Sequence, residues 1–470
     1  MHIDDTICAL ATPAGSGAIA MIRVSGKDAY SICDRSVSFH SKRKKISKLP
    51  GNTIHYGRIV HNSQPVDDIL VSIFRAPRSY TGENSVEITC HGSVFIQQKI
   101  LEILVEKGAR LARPGEFTQR AFLNGKMDLS QAEGVADLIA SQSAGAHRLA
   151  LNQMRGGFSS GIHSLREELL HLVSLIELEL DFSEEDVEFA DRNQLLILTD
   201  RIHELIENLI HSFEYGNAMK CGIPVAIIGQ TNSGKSTLLN LLLREEKAIV
   251  SEVAGTTRDY IEDSFIIGGI QFRFIDTAGL RHTTDHIETE GIRRTLKKYR
   301  QASIVIILVD LTEEPEKVDH DLAFIRAGEV TDQKKTLLLV LNKKDLVAPE
   351  ILKSRIKEYK KIWSDTMEII AISAKHGEGI KELEKLLTSS VFAQPLSDQQ
   401  VAVTNVRHLE ALKPSFEAVK RIRNGLRTSI SGDLLSQDIR EVLHYLGEIT
   451  GEITTDEILG NIFKNFCIGK

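Results

Sequence analysis

Val225-Ala226-Ile227-Ile228-Gly229-Gln230-Thr231-Asn232-Ser233-Gly234-Lys235-Ser236 joins a short apolar run to a G-x-x-x-x-G-K-S loop, and the helical stretch Thr237 to Leu243 follows directly. That strand–loop–helix order predicts a phosphate-binding loop. Its glycines let backbone N–H groups wrap phosphate oxygens, Lys235 reaches the β and γ oxygens, and the Ser236 hydroxyl is placed to ligate Mg²⁺. The fold class of this region follows as α/β with a parallel sheet.

Three further motifs extend the reading. The expected strand Phe272 to Ile275 ends in Asp276-Thr277-Ala278-Gly279, a carboxylate where the Mg²⁺ shell needs one and an amide for the γ-phosphate. The strand Leu337 to Leu341 ends in Asn342-Lys343-Lys344-Asp345, and Ile369 to Ile372 delivers Ser373-Ala374-Lys375. An ionised Asp345 is acceptor-only and matches guanine's N1–H and 2-amino group. Adenine offers neither donor there and would leave the carboxylate unpaired. The motifs together predict a GTP-hydrolysing domain. Its expected GTP contacts are Asn232, Ser233, Gly234, Lys235, Ser236, Thr237, Ser251, Thr256, Thr257, Asp276, Thr277, Ala278, Gly279, Asn342, Lys343, Asp345, Ser373, Ala374 and Lys375. Leu280 stands where Ras-like proteins place a water-orienting Gln, so hydrolysis needs another arrangement. Thr257, in Gly255-Thr256-Thr257-Arg258-Asp259, is placed to complete the Mg²⁺ shell.

Outside this domain the chain is longer than one core usually supports: 470 residues predict two to four domains. A net charge of -7, from 57 basic and 64 acidic residues, excludes a uniformly basic nucleic-acid binder but leaves local basic patches. Cys8, Cys33, Cys90, Cys221 and Cys467 are scattered without a C-x-x-C pair, which argues against a disulfide framework or a zinc site and favours the cytoplasm. Asp4 and Asp5 precede the first apolar stretch, unlike a signal peptide, and no run of ~20 apolar residues predicts a membrane span. Cys467-Ile468-Gly469-Lys470 is not a prenylation box, because Gly469 is not aliphatic and Lys is not a usual last residue.

Periodicity divides the remainder. Strands are expected at Ile19 to Val24, Ile54 to Val60, Ile69 to Phe74 and Val86 to Cys90, with a helix from Val94 to Lys107. Gly15-Ser16-Gly17 precedes a strand and is not a dinucleotide fingerprint. From Ser130 the period becomes helical, with Ser130 and Glu133 as a capping box, Leu165 to Leu180 on one helix face and Ile202 to Phe213 on another. Helical periodicity stops at Tyr215-Gly216-Asn217 and returns after Pro395 in Glu417 to Ile422 and Leu435 to Leu446, so an α/β unit is expected as an insertion in a helical domain. The acidic turn Asp181 to Glu188 and the basic run Lys42, Arg43, Lys44, Lys45 and Lys48 are expected to be solvated, with contact to RNA phosphates the alternative for the latter.

The order of P-loop, GTTRD (255–259), DTAGLR (276–281), NKKD (342–345) and SAK (373–375) resembles the MnmE (TrmE) family of tRNA-modification GTPases. The runs 5–26, 81–92 and 112–133 and the terminal FCIGK (466–470) are similar to that family too. The resemblance implies a K⁺ held by Asn232, Ser251, Val253 and Thr256, Mg²⁺ held by Ser236 and Thr257, and Glu288 as the water-activating acid beside the competitor Glu290. With Lys235 and Asn232, Glu288 and Cys467 make up the catalytic candidates. It implies that Arg23, Glu87, Lys126 and Lys470 hold 5-formyl- or methylene-tetrahydrofolate. It further implies a homodimer, a flavoprotein partner (MnmG, also called GidA) that carries the FAD in a heterotetramer or larger complex, and tRNA as substrate.

The expected architecture is therefore α/β multidomain: an N-terminal α+β domain (1–125), an all-α helical domain in two parts (126–216 and 393–470), and an inserted Ras-like P-loop G domain (217–392). The expected function is potassium-stimulated GTP hydrolysis driving C5 aminomethyl or carboxymethylaminomethyl modification of wobble uridine 34. A ribosome-assembly RNA-binding GTPase is the alternative.

Overall fold

The computed structural model describes residues 4–39, 45–181, 192–245, 264–275, 299–314, 335–363, 367–391, 402–428, 430–464 and 466–469. The chain divides into two compact units. One comprises Met1–Ala140, Ala150–His211 and Asn405–Lys470; the other comprises Ser141–Leu149 and Ser212–Thr404.

The first unit opens with a seven-stranded sheet of strands β1 (Ile7–Leu10), β2 (Ile19–Ser25), β3 (Val37–Ser38), β4 (Thr53–His61), β5 (Gln64–Phe74), β6 (Ser85–His91) and β7 (Arg110–Leu111). Their order is β3-β4-β5-β6-β2-β1-β7, antiparallel except for the β1–β7 pair. Period-two alternation sends Ala20, Ile22 and Val24 of β2 into a core shared with Val86 and Ile88 of β6 and Val71 and Ile73 of β5. The helices Ala29–Asp34 and Val94–Glu106 close that core with Ile32, Ile100, Ile103 and Leu104. Arg23 and Glu87 therefore point to the opposite sheet face, directly across from each other in register. Strand β1 carries no alternation because both its faces are covered. Cys8 enters the main core, while Ile7 and Ala9 pack on Ala112 and Phe117.

The helical part of this unit contains Leu129–Ala140, Gly157–Asp181, Val406–Arg427, Gly432–Thr450 and Asp456–Phe463. Leu165, Leu169, Leu172 and Ile176 are buried at three- and four-residue steps, as are Leu435, Ile439, Val442 and Leu446. The capping box is displaced from its expected place. Asp128 and Gln131 make the reciprocal pair, Gln131 N donating to Asp128 Oδ1 at 2.8 Å and Asp128 N to Gln131 Oε1 at 2.9 Å. Two S/D-x-x-E/Q frames overlap at this point, and burial selects between them. Glu133 is turned inward, where it accepts from Arg407 Nε at 2.8 Å and pairs with His408 Nε2 at 2.7 Å. Arg407 also donates to the carbonyls of Glu448 and Ile449, and His408 stacks on Phe158 with ring centroids 4.9 Å apart. Through Arg407 and His408, one buried carboxylate thus ties four helices together.

The second unit is a six-stranded sheet of β8 (Ile223–Ile228), β9 (Ser264–Ile267), β10 (Ile270–Phe274), β11 (Ile304–Asp310), β12 (Thr336–Asn342) and β13 (Glu368–Ala371). The order is β13-β12-β11-β8-β10-β9, parallel except for the β9–β10 hairpin. Every residue of β11 is buried, as expected of a parallel strand covered on both faces. Val225 and Ile227 share one core with Leu238, Leu239 and Leu242 of helix Lys235–Glu245 and with Leu383 and Leu387 of helix Ile380–Val391. Ala226 and Ile228 share the other with Tyr359 of helix Pro349–Trp363.

Helix Arg192–Cys221 does not stop at Tyr215-Gly216-Asn217 but continues to Cys221. Gly216 is a close-approach glycine: a Cβ there would lie 2.3 Å from the Val403 carbonyl oxygen. The break falls instead at Gly222, with φ +80. The architecture is α/β multidomain, with an N-terminal α+β domain, an all-α part and an inserted P-loop domain of Ras-like strand order.

Burial raises the Glu133 carboxyl, but His408 and Arg407 outweigh it and hold the group at about 2 against an ordinary 4.5. The stability this contributes is complete above pH 4.5 and is lost as pH falls through about 2. Glu133→Gln should abolish that acid-sensitive window in denaturant titrations run from pH 6 downward. At neutral pH it should cost about 3–5 kcal/mol, because the part-buried Arg407 loses its counter-charge and the fully buried His408 its partner.

Candidate functional site

Strand β8 lies between β11 and β10, the point where strand order reverses and the loops at the carboxyl ends splay apart. Three loops at that edge carry the expected motifs, and their geometry follows from local sequence. At Gly229 a Cβ would sit 2.2 Å from the Leu308 carbonyl oxygen, so only glycine lets the chain leave the strand against β11. Asn232 (φ 63) and Gly234 (φ +98) are left-handed, which curls the loop and turns its amides inward. Lys235 Nζ bends back on the loop's own carbonyls, 2.9 Å from Gly229 O and 2.5 Å from Gln230 O. Ser233 is fully buried, and its Oγ has no hydrogen-bond partner among the described residues. Ser236 and Thr237 occupy the first turn of helix Lys235–Glu245, whose positive dipole end favours an anion.

Asn342 connects this loop to the others. Its buried carboxamide donates to Ser233 O at 2.8 Å and accepts from Ala374 N at 3.0 Å. Lys343 follows in the left-handed region at φ 65, and Lys344 N donates to Ile372 O at 3.1 Å. The Ser373 hydroxyl, helped by the nearby His376 and Lys375, holds the Asp345 carboxyl below the usual carboxylate range. His376 Nε2 stands 3.6 Å from Asp345 Oδ2. The Ser373–Lys375 loop is closed by paired backbone bonds between Ser373 and Glu378 at 2.9 and 3.2 Å. An ionised, acceptor-only group and a cradle of inward amides are thereby fixed to the same buried side chain. The arrangement can take a purine's donor edge at one end and phosphates at the other.

Ser251, Val253, Thr256, Thr257, Asp276, Thr277, Ala278, Gly279 and Glu288 lie outside the described residues, as do Leu280, Glu290, Lys42, Arg43, Lys44 and the acidic turn beyond Asp181. Nothing was read from sequence at Asp310. It closes β11 opposite Asn342 and accepts from Lys343 Nζ at 2.5 Å.

In the N-terminal domain Arg23 Nε donates to Glu87 Oε1 at 3.0 Å, and both side chains are largely buried, at 14% and 17% exposure. The guanidinium lies over the rings of Tyr80, at 5.1 Å, and Phe117, at 5.6 Å. Lys126 Nζ donates to Pro77 O at 3.1 Å, so Arg23 and Lys126 both meet the 77–83 segment. The chain's tail reaches the same residues. Arg23 Nη1 lies 3.5 Å from Gly469 O, and a Cβ at Gly469 would sit 2.1 Å from Leu10 O. Cys467 is exposed, and its carbonyl accepts from Gly115 N at 3.3 Å. Lys470 lies outside the described residues. Tyr80, Phe117 and Gly469 were not read as contacts of Arg23 from the sequence, because pairings this distant along the chain carry no local signal; of the tail, the family resemblance had placed Lys470 with Arg23. Arg120, only 3% exposed, is held by Asp5, Glu83 and Glu116, and Arg110 shares the first and last of these. Through Glu83 this network holds the end of the 77–83 segment.

The family model for the MnmE helical domain matches residues 129–467, and that for the GTP-binding protein TrmE N-terminus matches residues 6–126. The tRNA modification GTPase MnmE of Bacteroides thetaiotaomicron is 52% identical over 99% of this chain and 99% of its own. That of Parabacteroides distasonis is 53% identical over 99% and 100%, and that of Christiangramia forsetii is 51% identical over the whole of both. The solved FeoB G domain of Methanococcus jannaschii aligns with 36% of this chain and 97% of that one, at 26% identity and a TM-score of 0.24. With identity above half along nearly the full length, and a buried Asn342 tying phosphate loop to base loop, the chain belongs to the MnmE family of tRNA modification GTPases.

Proposed function

We propose that this chain is a potassium-stimulated GTP hydrolase that, with the FAD-dependent partner MnmG (GidA), installs C5 aminomethyl or carboxymethylaminomethyl groups on wobble uridine 34 of tRNA. The one-carbon unit comes from 5-formyl- or methylene-tetrahydrofolate. The observation that carries the reading is the Asn342 bridge, which fixes an ionised Asp345 and the 229–236 loop in one frame.

On GTP binding, the Lys235 ammonium exchanges its two loop carbonyls for phosphate oxygens, a charge-assisted replacement for neutral contacts. The inward amides of the curled loop and the dipole of helix Lys235–Glu245 face the same oxygens. Mg²⁺ and K⁺, when bound, would supply positive charge to the nucleotide's phosphates. Ser236 with Thr257 would hold the first, and Asn232 with Ser251, Val253 and Thr256 the second. Ser236 fits from its place in the helix's first turn, and Asn232, at the left-handed turn of the loop, has a carboxamide oxygen of the kind a hard cation takes. Asp276 to Gly279 complete the phosphate contacts, and Glu288 orients and deprotonates the attacking water.

Arg23, Glu87, Lys126 and Lys470 form the folate-binding set in this reading. The Arg23–Glu87 pair, walled by Tyr80 and Phe117, offers a charged donor, an acceptor and two aromatic faces to a flat heterocycle with carboxylates. Cys467, exposed on a tail that reaches Arg23 through Gly469, is assigned a role in the modification chemistry. The sheet face that presents Arg23 also exposes Ile19 at 65%, Ile54 at 67% and Tyr56 at 52%, an apolar patch suited to a homodimer interface. No helix among the described residues is long and apolar enough to cross a membrane. The proposed complex is a cytoplasmic one.

Mass spectrometry of wobble uridine from cells lacking the protein should show the C5 side chain missing, and unchanged modification would overturn the biological role. GTP turnover should rise about tenfold or more in K⁺ over Na⁺. Asn232→Ala should erase that difference, and Glu288→Ala should lower kcat by about 10²-fold or more with nucleotide affinity kept; equal rates in the two salts would sink the potassium mechanism. Calorimetric binding of 5-formyltetrahydrofolate should weaken by about tenfold or more in Arg23→Ala, whereas undiminished binding would remove Arg23 from the site.

A further inference from the structure

Lys343 poses a problem of conformation. It is a non-glycine residue held at φ 65, in a region that costs an L-residue free energy, yet it sits between Asn342 and the base-reading Asp345. What holds it lies on the neighbouring strand. Asp310 is the last residue of β11, 7% exposed and opposite Asn342 in register, and Leu311 N donates to Asn342 O at 3.1 Å. Its Oδ1 accepts from Thr312 N at 3.0 Å and Thr312 Oγ1 at 2.7 Å, so the carboxylate cannot rotate, and Oδ2 takes the Lys343 ammonium. Burial pushes the Asp310 carboxyl up, but Lys343 and the Thr312 donors outweigh it and keep it below the carboxylate range.

We propose that Asp310 is a positioning residue for nucleotide binding: it draws Lys343 taut between its left-handed backbone and a fixed carboxylate, making the lysine stem a rigid apolar ledge for the face of the purine. The proposal deepens the GTP-site reading and rests on it. It divides labour within one loop. Asp345 reads the edge of the base and selects guanine, whereas the Asp310–Lys343 pair supports the face of the ring and is indifferent to edge substituents. A free lysine would lose rotamer entropy on binding, and the pairing removes that loss beforehand.

The test is a double-mutant cycle in the full-length protein, with GDP, inosine diphosphate and xanthosine diphosphate as probes of equilibrium binding. Asp310→Asn should weaken all three by about tenfold, Lys343→Met by the same factor, and the double variant by no more than either. In Asp310→Asn, kcat at saturating GTP should stay within about twofold of the parent, and the thermal midpoint without nucleotide should not fall in proportion to affinity. Asp310→Glu, which keeps the charge, should recover part of the loss. Additive losses near a hundredfold in the double variant, or unchanged affinity in Asp310→Asn, would overturn the proposal. If Asp310→Asn does not fold, Lys343→Met alone decides, since unaltered binding there leaves no ledge to position. Asp345→Asn is the separate arm: it should move preference from guanine to xanthine. Failure of that swing defeats the base-reading assignment of Asp345, whereas the cycle between Asp310 and Lys343 reports only on the ledge.

Discussion

A single buried carboxamide organises the nucleotide domain. Asn342 uses its donor on the phosphate loop and its acceptor on the loop after β13, so two segments distant in sequence share one rigid reference. Such a group has few alternatives once buried. An amide that loses either partner in this position pays a desolvation penalty of about 1–3 kcal/mol, which makes the connection close to all-or-none. The close contact between the Asn342 amide and Gly234, where a Cβ would lie 2.3 Å away, excludes any side chain from the same joint. Phosphate recognition and base recognition are therefore not separately adjustable in this domain.

The sequence disclosed the nucleotide site better than anything else in the chain, for a physical reason. Backbone cradles need glycine at fixed spacings, and base reading needs a carboxylate at the end of a strand, so 229–236 and 342–345 carry their chemistry locally. Asp310 was silent because its role is a contact across two parallel strands, with Lys343 standing 33 positions further along the chain. Gly469 was silent for the same reason at greater range, its fit to Leu10 being visible only after folding. The capping box was misplaced because two candidate frames overlap at 128–133. Local propensity could not tell which acid would be pulled inside by Arg407 and His408. The helix through Tyr215 was cut short because a glycine read as a breaker was serving as a point of close approach.

Charge is treated differently in the two units. Around Arg120 and Glu133 the N-terminal and helical parts bury guanidinium–carboxylate groups with nearly every donor and acceptor engaged, which specifies geometry more than it adds stability. In the nucleotide domain the charges of Lys235 and Asp345 stay near the surface, held by contacts that a ligand can replace. One set fixes the scaffold, and the other is kept ready for exchange.

The meeting of Gly216 with Val403 has a consequence for how the chain is assembled. Ser212 Oγ accepts from Val403 N at 3.0 Å one turn earlier on the same helix, so the segment's two ends are stitched together by a hydrogen bond and a backbone contact. Seen from its flanks, everything between Ser212 and Val403 is a closed loop whose ends are already joined. The entropic cost of carrying it grows only slowly with length. A segment attached in this way can be lengthened, or exchanged for another whose ends meet at the same spacing, as long as the turns of helix Arg192–Cys221 that carry Ser212 and Gly216 are kept.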